Sequence, residues 1–245
     1  MLESQKMGPL PEFRVPQGVD ANYDGQKEYP YKVTGVDATG SFKVKVAEGV
    51  SIRVYILLFT CSLFRLVHLE VVQGVNADDV KLGVDNFLAK NPRPEKLIAD
   101  NAKGNVRVGT DMDIIFSRVL ENYLQKRFQG IEVEFNPPLG SNFGGFFERQ
   151  IGVLKRALTA VVGKAELDLF QFSHTVKQAE LFMNTKPLTK ISCDAKDASF
   201  ITPSHFLHGH LSSYLTPYGE GINLPIASKW KHVQKVMNDV WKKFM

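Results

Sequence analysis

The chain has 245 residues, 44% of them apolar and 23% charged, enough for one sizeable core with appended segments and unlike a disordered or fibrous composition. Two cysteines, Cys61 and Cys193, exclude a disulfide framework, and neither lies in the C-x-x-C pair of a structural zinc site, which fits a reducing, intracellular compartment. Charge is unevenly spread: residues 1–148 carry 17 Lys and Arg against 19 Asp and Glu, whereas residues 149–245 carry 13 against 7. A basic second half suits a polyanionic partner such as nucleic acid, although many proteins with this asymmetry bind none. Met1 to Pro11 lacks the apolar run of a secretory signal, and Val54 to Cys61 is too short to cross a bilayer, so no membrane association is expected.

Residues 1–29 are rich in Pro, Gly and polar residues without periodicity and read as a linker or extended arm. Tyr31 to Asp37 predicts a short strand ending on a carboxylate. Arg53 to Thr60 and Phe64 to Val72 predict two more, and short connections favour an antiparallel meander. Asn76 to Lys90 has helical spacing, with Asn76 as cap, Asp78 and Asp79 on the N-terminal dipole, and Val80, Val84, Phe87 and Leu88 as the apolar stripe. Pro92 and Pro94 end it. Lys96 to Asp100 predicts a strand that again finishes on Asp. A helix follows over Thr110 to Phe128 with Ile114, Ile115, Val119, Leu120 and Tyr123 inward, then a fifth strand over Ile131 to Phe135.

Prolines and glycines in Asn136 to Gly145 forbid regular structure. Helices are predicted over about Phe146 to Val162 and over Asp168 to Asn184. Residues 186–229 read as mostly irregular. Trp230 to Phe244 is amphipathic, with Trp230, Val233, Met237 and Trp241 as a stripe for core packing or a following domain. This α/β order, a five-stranded mixed sheet flanked by helices, is that of the ribonuclease H-like fold, though order alone leaves other candidates.

Strand-terminal Asp37 and Asp100, with Glu148 just inside a long helix, form a set of hard oxygen donors from three separate segments. Such a set can hold two Mg²⁺ ions roughly 3.5–4 Å apart, one for an attacking and one for a leaving oxygen of a phosphodiester. The plainer alternative is that the aspartates form turns and the glutamate complements a helix dipole. His205, His208 and His210 lack cysteine partners and lie in an irregular stretch, which argues against zinc.

The flanking residues weigh against the plainer alternative. Val36-Asp37-Ala38-Thr39-Gly40, Ile98-Ala99-Asp100-Asn101 and Phe143-Gly144-Gly145-Phe146-Phe147-Glu148-Arg149 resemble, in order, the three catalytic blocks of retroviral-type integrases. The closest resemblance is to the integrases of Bel/Pao LTR retrotransposons. Tyr55 to Cys61 with Arg65 to Glu70 resembles that family's second and third strands, and Asn184 to Thr189 and Thr202 to Leu207 its segments after the core. Gln5 to Pro11 resembles the linker that follows its zinc-binding domain. Two departures stand out: Ala102 occupies a position that is usually glycine, and the stretch between Asp100 and Glu148 is longer than in retroviral relatives, as it is in Bel/Pao integrases.

The resemblance implies a linker over 1–29 after a missing zinc-binding domain, a catalytic core over 30–190, and a C-terminal extension with a terminal helix over 191–245. It implies a polyprotein-derived polynucleotidyl transferase, with Asp37, Asp100 and Glu148 as catalytic residues and ligands of two Mg²⁺ or Mn²⁺ ions. Processing of a 3′ end and strand transfer of element DNA into target DNA would be its activity. Lys155, Arg156, Thr159, Asn142, Asn101 and Arg149 would contact double-stranded DNA; the plain alternative for Lys155 and Arg156 is an exposed basic helix face, and for Asn101 a turn. A homo-oligomer acting in nucleus and cytoplasm is implied. The rivals are a metal-dependent nuclease of the same fold and an inactive or host-adopted core that binds DNA or protein.

Overall fold

β-branched and aromatic residues dominate residues 33–72, and in the computed structural model they form three antiparallel strands. The structure describes residues 28–74, 76–99, 119, 122–123, 130–135, 152, 154–156, 167–190, 200–209 and 235. Strand β1 (Val33–Ala47) pairs with β2 (Val50–Cys61), which pairs with β3 (Val67–Val72). Helix α1 (Ala77–Lys90) leads to β4 (Lys96–Ala99), parallel to β1 on its other edge, and β5 (Glu132–Phe135) runs parallel to β4. The strand order is β3-β2-β1-β4-β5, the expected five-stranded mixed sheet.

Alternation along β2 sorts side chains between two cores. Leu57 and Phe59 face α1, with Val80, Val84 and Phe87; Ile56 and Leu58 face helix α2 (Leu169–Asn184), with Phe172, Val176 and Ala179. Asn76 caps α1 as predicted, its side chain accepting the Asp79 N–H at 2.8 Å. Asp168 and Gln171 close a reciprocal capping box at the start of α2. Phe87 stacks on Phe59 at 4.1 Å and meets Tyr31 edge-on at 5.2 Å. Val119 is buried in this core, and Tyr123 packs on it while its hydroxyl donates to Asp85. At Gly83 α1 packs tightly on the sheet: a Cβ there would lie 2.7 Å from Leu57 Cδ1 and 2.9 Å from Val72 Cγ1.

The outer edge of β3 is covered by side chains rather than by another strand. Asn184 accepts from the Val67 N–H at 2.8 Å and donates to its carbonyl at 2.7 Å. Glu180 accepts from the Leu69 N–H at 2.7 Å, and Lys177 donates to the Leu69 carbonyl. One stripe of α2 thus blocks an edge that would otherwise pair with another chain.

Predicted boundaries change in several places. β1 does not end on Asp37: its pairing with β2 continues to Ala47 across an irregularity between Gly40 and Phe42. Glycine is required there, because φ is 154° and a Cβ would sit 2.6 Å from Tyr55 Cδ1. β3 begins at Val67 rather than Phe64, because Cys61 to Leu66 forms a turn with Arg65 at a φ of 56°. Residues 186–229, predicted as mostly irregular, include the short pair β6 (Thr189–Lys190) and β7 (Phe200–Ile201) and helix α3 (Pro203–His208). Ser204 fastens α3 to the Asn184 carbonyl at 2.8 Å, and Phe206 stacks on Phe64 at 4.5 Å. The remainder of the predicted helices over 110–128, 146–162 and 230–244 lies largely outside the described residues.

Candidate functional site

Asp37 lies on the central strand. Val36 and Ala38 point into the α1-side core, so alternation turns Asp37 to the opposite face, which it shares with Leu58 across the ladder. Among the described residues, the last pair of the parallel β1–β4 ladder is Val36 with Ala99. Between the buried Val36 and Ala38, the Asp37 side chain keeps 23% of its exposure.

Asp37 Oδ1 accepts the backbone N–H of Ala38 at 2.7 Å. Asp37 Oδ2 lies 2.6 Å from Lys155 Nζ. Lys155 is set there by its neighbour. Leu154, in the helical stretch of residues 154–156, is 1% exposed and belongs to the same buried cluster as Phe42 and Val44 of β1, which holds this stretch against the sheet. Arg156, next along, is exposed. The sequence offered Lys155 as part of a basic helix face but carried no information about Asp37, which is brought to it only by the tertiary fold.

Of the other predicted site residues, Asp100, Glu148, Asn101, Asn142, Arg149 and Thr159 lie outside the described residues. Among the described residues, no group of three His, Cys, Asp or Glu side chains could hold a metal ion. Asp37 itself fits one position in such a set. It is a partly shielded hard-oxygen donor whose surroundings already stabilise a cation, the Lys155 ammonium.

A second polar cluster went unpredicted. Glu70 on β3 is buried and receives His68 Nε2 at 2.8 Å, Lys90 Nζ at 2.8 Å and Lys177 Nζ at 3.2 Å. Burial opposes its ionisation, but hydrogen bonds from His68 and Lys90 and the charge of Lys177 outweigh that and hold the carboxyl at about 2. Glu180 Oε1 lies 3.6 Å from the other His68 ring nitrogen. The signal in the sequence was weak: His68 and Glu70 share one face of a strand, but their lysines come from two helices. His205 has its Nδ1 engaged in the cap of α3, accepting the Thr202 N–H at 3.0 Å.

The strand order, the parallel addition of β4 and β5 to an antiparallel hairpin pair, and helices on both faces define a ribonuclease H-like fold. No protein-family model matches the chain, and no curated protein matches it. Among solved structures, the chain is similar to the catalytic core domain of BIV integrase, at 17% identity over 73% of this chain and 95% of that chain, with a TM-score of 0.43. It is also similar to a chain of the simian T-cell lymphotropic virus intasome in complex with PP2A regulatory subunit B56 gamma. There the identity is 15%, over 81% of this chain and 61% of that chain, with a TM-score of 0.45. Among the described residues, no helix is long and apolar enough to cross a membrane.

Proposed function

We propose that the chain is the catalytic core of a retroviral-type integrase, of the kind carried by Bel/Pao LTR retrotransposons. It would join element DNA to target DNA as part of a homo-oligomer in nucleus and cytoplasm. The observation that carries this reading is the place of Asp37 in the sheet. It follows Val36, whose ladder partner is Ala99, and Asp100 follows Ala99 directly in the chain. The two aspartates of the first and second integrase-like blocks are thus the residues next after one parallel pair.

Asp37, Asp100 and Glu148 would hold two Mg²⁺ or Mn²⁺ ions, which supply activation of an attacking oxygen and stabilisation of a leaving oxygen at a phosphodiester. The chain's own work is positioning. The Ala38 N–H orients the Asp37 carboxylate at 2.7 Å, and the buried Leu154 holds the basic helix beside it. Exposed Arg156 offers a bidentate donor to DNA phosphate, and Arg149, Thr159, Asn101 and Asn142 are proposed to contact the same duplex. Phosphate contacts of this kind position the DNA without reading its sequence.

The test is a strand-transfer assay with Mn²⁺ and a recessed oligonucleotide duplex, comparing the wild-type chain with Asp37→Asn. Joined product is expected from the wild type and a loss of at least about 100-fold from the variant. Cleavage without joining would favour a nuclease of this fold. Unchanged DNA affinity with no metal binding would favour an inactive DNA-binding core.

A further inference from the structure

We infer that Lys155 is a resident counter-ion of Asp37, holding a carboxylate oxygen that a divalent cation would take and leaving it when that cation binds. The inference rests on the proposed metal role of Asp37 and goes beyond it, because it gives one side chain two successive partners.

Asp37 Oδ1 accepts the Ala38 N–H, and Lys155 Nζ sits 2.6 Å from Oδ2. The side chains keep 34% and 23% of their exposure, so the pair is neither sealed in the core nor free in water. An ammonium and a divalent ion on one carboxylate oxygen repel each other strongly in such a half-shielded place. Binding of the cation at Oδ2 therefore requires the ammonium to move. The lysine stem permits this without moving the fold: Leu154 stays buried, while four flexible methylenes carry the charge away. Once displaced, the ammonium is a strong point charge beside the site, suited to a DNA phosphate. Metal loading then liberates the group that grips the backbone.

The experiment is titration of the whole chain with Mn²⁺ in the absence of DNA, followed by calorimetry and by loss of the free-ion electron paramagnetic resonance signal. Lys155→Met is expected to tighten Mn²⁺ binding by about tenfold, a coupling of ordinary size between two competing ligands. Lys155→Arg keeps a cation on the carboxylate and should bind within about threefold of the wild type. Arg156→Met removes the adjacent exposed cation and should change affinity less than about twofold. Far-UV circular dichroism establishes that each variant is folded.

An unchanged affinity in Lys155→Met, or an equal gain in Arg156→Met, would overturn the inference. Asp37→Asn separates the two levels of failure. If it abolishes Mn²⁺ binding while Lys155→Met changes nothing, the counter-ion role alone is wrong. If it leaves Mn²⁺ binding intact, the metal role of Asp37 fails and the counter-ion role with it.

Discussion

Truncation of Asn184 to alanine tests whether the edge of β3 is held by side chains. The Asn184 amide satisfies both backbone groups of Val67, at 2.8 Å and 2.7 Å, and the two residues are 8% and 1% exposed. Removing it leaves a donor and an acceptor with no partner in a place from which water is largely excluded. Each such group costs about 1–3 kcal/mol, for a total of about 2–6 kcal/mol. Alanine returns about 0.5 kcal/mol through its higher helix propensity, and less at a helix end such as this. Water entering the vacated space relieves part of the rest, so the expected loss is about 2–4 kcal/mol. Urea denaturation followed by far-UV circular dichroism measures the loss, and amide exchange at Val67 locates it. The variant should also self-associate at concentrations where the wild type is monodisperse, since an uncovered edge strand is a template for pairing. A loss below about 0.5 kcal/mol with Val67 still protected would refute the claim that this amide closes the sheet.

Two further outcomes follow from the same structure. Glu70 is held at about 2 against an ordinary 4.5, so its stabilisation is complete above pH 4.5 and disappears as pH falls toward 2. The full shift corresponds to about 3 kcal/mol, reduced to roughly 2 kcal/mol because Lys90 and Lys177 are partly solvated. Urea midpoints of the wild type and Glu70→Gln should therefore converge through that window, and parallel pH profiles would contradict the assignment. Gly83→Ala sets about 1 kcal/mol of helix propensity against about 1–3 kcal/mol of overpacking. The Leu57 and Val72 methyls that the new Cβ would meet at 2.7 Å and 2.9 Å are both buried, so overpacking should win by about 1 kcal/mol. A rise in thermal midpoint would show that α1 can shift outward freely.

Local pattern alone determined much of this protein. The caps at Asn76 and Asp168, the stripe Val80, Val84 and Phe87, and the alternation of β1 and β2 are written in residues a few positions apart, where propensity and periodicity act. The integrase-like blocks around Asp37, Asp100 and Glu148 were visible for the same reason, as short runs of residue types. What depended on distance along the chain was invisible. The continuation of β1 beyond Asp37 is decided by its long antiparallel pairing with β2. The Asn184 clamp on Val67, the lysines gathered on Glu70 and the Lys155–Asp37 pair each join segments whose periodicities are independent of one another. Candidate site residues can be found from residue type, but the partner each one holds is set by how the helices pack across the sheet, because charge and hydrogen bonding act over a few ångströms of space rather than along the chain.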